Sequence, residues 1–209
     1  ELPVLVEGIG RDGRDADASD PGDWVDAADR TADPTRYGGC EIEASSWHGT
    51  VIAGMVAGIT NNGTGIAAMN WSGRVLPVRV AGKCGADVAD IVDGMRWAAG
   101  LPVAGVPDNP NPARIINISF GGSADCGSLY QQTIDELWNE RGAVVVAAAG
   151  NGSGAPSRPA SCQRVIGVGA LNRDGFKATY SNFGASLAMA TVGGDDDEGA
   201  WGSLLADSG

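Results

Sequence analysis

Residues Ala143-Val144-Val145-Val146-Ala147-Ala148-Ala149-Gly150-Asn151 form a run that is apolar at every position and then stops on a glycine. A strand with one solvated face alternates apolar and polar residues. A continuously apolar strand is expected where both faces are covered, as in a parallel sheet flanked by helices. Runs that are nearly as continuously apolar and rich in β-branched residues occur at 74–80, 114–120 and 164–170. Between the runs, 86–99 carries Val88, Ile91, Val92 and Met95 at helical spacing, and 128–141 carries Leu129, Ile134, Leu137 and Trp138. Strand and helix in repetition predict an α/β fold, a doubly wound, mainly parallel sheet with helices on both faces.

In such a sheet, functional groups collect on loops at the carboxyl ends of the strands. The glycines fall there: Gly82 and Gly85, Gly121 and Gly122, then Gly150, Gly152 and Gly154. A nucleotide-binding α/β domain would need a phosphate loop, and neither Gly-x-Gly-x-x-Gly opening a helix nor Gly-x-x-x-x-Gly-Lys-Ser/Thr occurs. The chain is 209 residues with 26 acidic and 14 basic side chains, a formal charge of −12. That balance repels phosphate backbones and anionic lipid, so neither nucleic acid nor membrane is an expected partner. One domain and a monomer are expected.

Residues 11–33 are polar and acidic, punctuated by Pro21 and Gly22, and are expected to form a long surface loop. The carboxylates of Asp12, Asp15 and Asp17, with Asp20 and Asp23 nearby, would repel one another unless a cation such as calcium drew them together. Asp12, Asp15 and Asp17 with the Arg14 carbonyl are the expected calcium ligands. The acidic run Asp195 to Glu198 is expected to be a solvated turn. Cys40, Cys84, Cys126 and Cys162 are widely spaced with no Cys-x-x-Cys pair, which suits two disulfides in an oxidising compartment and leaves three pairings open. Three glycosylation-type sequons, at Asn70, Asn117 and Asn151, are taken as chance.

His48 is the only histidine. It opens His48-Gly49-Thr50-Val51-Ile52-Ala53-Gly54, a small and apolar stretch expected to form a tightly packed helix, with Gly54 and Gly58 implying close approach of another element. This stretch resembles the His-Gly-Thr-x-Val-Ala-Gly motif around the catalytic histidine of subtilases. Asn117-Ile118-Ser119-Phe120-Gly121-Gly122 is similar to the family's Asn-x-Ser-Leu-Gly-Gly strand, and Ala147-Ala148-Ala149-Gly150-Asn151 to its oxyanion segment. Three motifs in the family's order cover nearly the whole chain and resemble the bacterial secreted branch, those with a long acidic loop and cysteines before the histidine.

The resemblance implies a secreted, extracellular serine endopeptidase acting on proteins or peptides, with His48 as general base and acid and Asn151 as oxyanion donor. It implies substrate-binding walls at Ser119, Phe120, Gly121, Ala149 and Gly150, and opposite them at 82–86 including Gly85, with 159–162 near the specificity pocket. It implies disulfides Cys40 to Cys84 and Cys126 to Cys162. The family's Gly-Thr-Ser nucleophile motif and its Asp-Thr/Ser-Gly motif are absent from residues 1–209. Val4-Leu5-Val6-Glu7-Gly8 imitates the latter weakly, and Ser208 lacks a following helix. Val51 stands where the family usually has a second histidine, outside the triad. Residues 1–209 are therefore expected to be a partial catalytic domain, inactive alone, with the aspartate before residue 1 and the serine after residue 209. The rival expectation is a non-catalytic, subtilase-like peptide-binding module that keeps the cleft and has lost the triad.

Overall fold

The computed structural model describes residues 22–195. Three of the expected strands are present: β1 (Ile115–Ile118), β2 (Val144–Ala148) and β3 (Val165–Leu171). A fourth, β4 (Met189–Val192), was not expected from the sequence. Its four residues are mixed in polarity and mostly exposed, so the pattern that marks a buried strand is missing. All three pairings are parallel, in the order β1-β2-β3-β4. The expected strand at 74–80 forms none among the described residues. Val78 and Val80 nevertheless pack against the core, which accounts for their apolar character.

Six helical segments accompany the sheet: α1 (Ala27–Ala32), α2 (Pro34–Tyr37), α3 (His48–Ala57), α4 (Val88–Ala98), α5 (Ser128–Glu136) and a π turn over Leu137–Arg141. Alternate strand residues Ile116, Ile118, Val145, Ala147 and Val165 point to one face, where they bury Ile91, Val92 and Met95 of α4 and Tyr130 and Ile134 of α5. An ion pair between Arg96 and Glu136 joins the two helices. Towards the opposite face lies α3, whose Ile52 lines a cavity with Val168 and Ala170. Helices therefore lie on both faces of a parallel sheet.

Three expectations need correction. Residues 11–33 do not form one loop, since 27–32 is helical: the Asp29 N–H donates to Asp26 Oδ1 at 2.8 Å and the Asp26 N–H to Asp29 Oδ2 at 3.1 Å, a reciprocal cap that starts α1. Asp33 then caps α2, with Pro34 at its first position. The helix at His48 forms, but it has no buried residue, and a Cβ on Gly54 would meet only Ile66 Cδ1, at 3.8 Å. Another segment does approach its end, where the Met69 and Asn70 N–H groups donate to the Met55 and Val56 carbonyls at 3.0 Å each, but that approach buries none of the helix's side chains. Lastly, 128–141 is not one regular helix. The wider π turn shifts the phase of its last residues, so Leu137 is fully buried while Trp138 is 47% exposed.

Leu137→Ala should therefore destabilise the fold by about 2–5 kcal/mol, because it removes a side chain from a filled core. Trp138→Ala should cost much less. Denaturant titration of the two variants checks the contrast, and equal losses would place both side chains in the core.

Candidate active site

The carboxyl ends of the strands converge, as a parallel sheet requires. His48, Ser119, Ala149, Gly150 and Asn151 line one open cavity of about 650 Å³ together with Val168, Tyr180, Ser181 and Gly193. The expected catalytic pair is thus brought together with three of the six expected wall residues, Ser119, Ala149 and Gly150, while Gly85, Phe120 and Gly121 do not line this cavity.

His48 opens α3 after Trp47, a left-handed residue at φ 51°. Its Nε2 lies 2.9 Å from the Ser119 carbonyl oxygen. A carbonyl only accepts, so Nε2 carries the proton in this contact. For Nε2 to accept a proton, the ring must leave this contact and carry its hydrogen on Nδ1 instead. Behind the ring, Asp23 accepts from the Ser46 N–H at 2.7 Å and from Ser46 Oγ at 2.6 Å, and Ser46 Oγ accepts from the His48 N–H at 3.3 Å. Burial works against the charged Asp23 carboxylate, yet the two bonds from Ser46 outweigh it and hold its pKa below the usual carboxylate range, with Arg79 assisting. Asp23, grouped by sequence with the acidic cluster, thus supports the start of α3.

On the first wall, Ser119 Oγ accepts from Asn117 Nδ2 at 2.8 Å, and Phe120 packs against the core. A Cβ on Gly121 would come within 2.5 Å of the Arg158 carbonyl oxygen, so this position tolerates no side chain. Gly122 bonds Arg158 O at 3.2 Å, and Pro159 and Ala160 are buried behind that contact. On the other side, Gly82 and Gly85 bond each other, N–H to carbonyl both ways, at 3.0 and 3.1 Å. Those backbone groups are spent on closing a turn. At its tip Cys84 is bonded to Cys40, while Lys83 bonds both Asp29 oxygens, at 2.8 and 2.7 Å, and lies over Trp24. The Lys83 ammonium, with the Asp26 N–H, holds the Asp29 carboxyl below its ordinary pKa. Cys126 is joined to Cys162. Both bridges are the pairs that the resemblance implies.

Asn151 follows Gly150, whose φ of +104° favours glycine and where a Cβ would meet Asn182 Nδ2 at 2.5 Å and Ser157 Oγ at 2.7 Å. The buried Asn182 escaped the sequence reading. Tyr180-Ser181-Asn182-Phe183-Gly184 has the composition of an ordinary turn, and its partners lie about thirty positions earlier. The calcium ligands expected at Asp12, Arg14, Asp15 and Asp17 lie outside the described residues, as do Glu7 and Ser208. Among the described residues no group of three or more His, Cys, Asp or Glu could hold a metal ion. Of the acidic run 195–198 only Asp195 lies within the described residues; it is half-buried, and its carboxylate accepts from the Thr179 N–H, at 3.0 Å, and from the Thr179 hydroxyl.

A sequence profile of the Subtilase family matches residues 16–206. The chain is 46% identical over 189 residues to an extracellular basic protease of Dichelobacter nodosus, covering 88% of this chain and 30% of that protein. It is 45% identical over 183 residues to an extracellular protease of Xanthomonas campestris pv. campestris, covering 87% and 30%. The chain thus spans about 30% of the length of these curated relatives. Its fold superimposes on a solved protease from Pseudoalteromonas arctica with a TM-score of 0.82 at 40% identity, over 99% of this chain and 63% of that one.

Asp23→Asn should destabilise the folded chain by on the order of 1 kcal/mol at neutral pH, as expected for a partly exposed, charge-assisted contact. Because the folded pKa of Asp23 is lowered, its contribution is complete above the ordinary carboxylate value of about 4 and is lost as pH falls through the folded value. Thermal unfolding of both proteins against pH should show the gap closing below about pH 4. A gap that stayed constant into acid would remove the charge from this account.

Proposed function

This chain belongs to the Subtilase family, and we propose that it forms most of the catalytic domain of a secreted, extracellular serine endopeptidase that hydrolyses protein or peptide substrates. The observation that carries the reading is the meeting of His48, Asn151 and the Ser119 wall around one cavity at the strand ends. Similarity to two proteases described as extracellular supports the localisation. No helix among the described residues is long and apolar enough to cross a membrane.

In this reading a serine supplied from outside residues 1–209 enters the cavity beside His48. An aspartate, also from outside them, accepts a hydrogen bond from the Nδ1–H, which holds the tautomer that leaves Nε2 free to draw the proton from the serine hydroxyl. The serine oxygen then adds to the scissile carbonyl, and the negative charge that forms on the carbonyl oxygen is met by the Asn151 amide. His48 returns the proton to the departing amine, and water repeats the cycle to release the acid. An extended substrate would lie along Ser119, Phe120 and Gly121 as an added strand, between that wall and Gly85, with Ala149 and Gly150 beneath it. The Ser119 carbonyl, which holds His48 Nε2, would be released when the ring turns towards the serine.

Calcium is proposed as a structural ion for Asp12, Asp15, Asp17 and the Arg14 carbonyl, since a hard cation favours such a set of oxygen donors. Among the described residues, Asp23 is committed to Ser46 and contributes to the helix start instead.

In the enzyme that carries both this chain and the serine segment, Asn151→Ala should lower kcat about 10²–10³-fold with KM nearly unchanged, a size taken from subtilisin, a member of the same family. His48→Ala should cost more, since it removes the proton acceptor. Steady-state kinetics on a peptide substrate decide the matter. Full activity in both variants would sink the mechanism, an unmutated parent that binds the peptide without cleaving it would favour a peptide-binding module, and residues 1–209 alone should leave casein intact. Calcium should raise the thermal midpoint of the same enzyme by mass action, and Asn at 12, 15 and 17 should abolish the rise. Equal midpoints in calcium and chelator would remove the ion.

A further inference from the structure

Asn182 is 4% exposed, and its amide spends its full capacity on one loop. Its Nδ2 donates to the Ala149 carbonyl at 3.0 Å and to Ser157 Oγ at 2.9 Å. Its Oδ1 accepts from the Gly152 N–H at 2.9 Å and the Gly154 N–H at 3.0 Å. Chemistry fixes this orientation of the amide, because a carbonyl can only accept and a backbone N–H can only donate. The Asn182 N–H adds a bond to the Gly150 carbonyl at 2.9 Å. Ser153 is tied to the same segment through its N–H to Tyr180 O at 2.9 Å and its Oγ to Thr179 O at 2.6 Å. Residues 149, 150, 152, 153 and 154 are thus all anchored to 179–182, and Asn151 stands between the anchors.

The anchor is itself held. Ser181, 1% exposed, accepts the Ala170 N–H of β3 on its Oγ at 2.9 Å and donates to the Asn182 carbonyl at 3.0 Å. The Lys177 ammonium draws in three carbonyl oxygens of the preceding turn, those of Ala178, Thr179 and Ser181, at 2.9, 3.3 and 3.0 Å. The loop that carries Asn151 is therefore braced to β3 through Asn182, rather than resting on its own turn geometry.

We propose that Asn182 is the positioning residue of the oxyanion site, holding 149–154 so that the Asn151 amide is aimed before substrate arrives. This rests on the reading of Asn151 as the oxyanion donor. A donor contributes to the transition state without reorganisation only if its support is rigid, and a misplacement of about 1 Å can cost about 10²-fold in rate. Removing the Asn182 amide leaves the Gly152 and Gly154 N–H groups and the Ala149 carbonyl without these partners, and the loop free to shift.

A double-mutant cycle in the enzyme carrying the serine segment tests this, with kcat, KM and thermal midpoint measured for Asn182→Ala, Asn151→Ala and the pair. Asn182→Ala should lower kcat about 10–100-fold at nearly constant KM. In the Asn151→Ala background the same change should alter kcat less than about threefold, because the group being aimed is gone, while the midpoint falls equally in both backgrounds. Equal kcat losses in the two backgrounds, or a raised KM with kcat intact, would overturn the proposal and make Asn182 a structural or substrate contact. Ser157→Ala removes only the hydroxyl that accepts one Asn182 Nδ2 hydrogen. It should lower kcat less than Asn182→Ala and in the same direction, and it carries the cycle if the alanine variant does not fold. Failure of the oxyanion reading itself would show separately, as full kcat in Asn151→Ala alone.

Discussion

The backbone ladder between β1 and β2 sets Ile118 beside Ala147, and that register fixes where the two walls of the site can stand. Adjacent strands lie about 4.8 Å apart, so Ser119, one residue beyond β1, and Ala149, one beyond β2, emerge as neighbours on one edge. The next ladder sets Ala148 beside Val168 and brings the ends of β3 and β4 to the same edge. His48 arrives from a different part of the chain, and its place is defined by contact with the Ser119 carbonyl.

Small residues make that convergence sterically feasible, and polar contacts make it definite. Ala147, Ala149 and Ala160 are almost wholly buried, and Gly150 and Gly121 leave no room for a Cβ. Such a packed arrangement contains backbone groups that no regular ladder satisfies, and burying them unpaired would cost several kcal/mol. Asn182 resolves this for the segment after β2, since one amide takes up two N–H groups and a carbonyl at once. The same requirement explains why a residue with no role in the chemistry sits so close to the proposed oxyanion donor.

The segment between residues 22 and 46 is attached to the site by contacts of three kinds. The Cys40–Cys84 bridge closes a sequence separation of 44, worth about 4 kcal/mol in the chain-entropy account of an unfolded loop. The Lys83–Asp29 pair and the Asp23–Ser46 bonds add charge-assisted contacts at the turn opposite the cleft and at the start of α3. An acidic stretch that composition alone marks as solvated thereby becomes the support for the histidine and for one wall.

The sequence by itself determined the parallel core, because near-continuous apolarity at 114–120, 143–148 and 164–170 suits strands of a parallel sheet, although Ile115 stays 70% exposed on the second face of β1. It also placed His48 at a helix start and Asn151 after a strand, since both motifs are local runs of a few residues. The short helices at 27–37 were within reach too, through Asp33-Pro34 and the aspartates that cap them, but the acidic composition masked those signals. Only the tertiary structure decided that β4 pairs with β3, that 74–80 forms no strand among the described residues, that Trp138 leaves the core, and that Asn182 braces the loop around Asn151. The physical reason is the range of the interaction involved. Hydrophobic periodicity is written into neighbouring positions, whereas a buried hydrogen-bond partner can come from any position that the fold brings near, and the chemistry of the partner does not record which one.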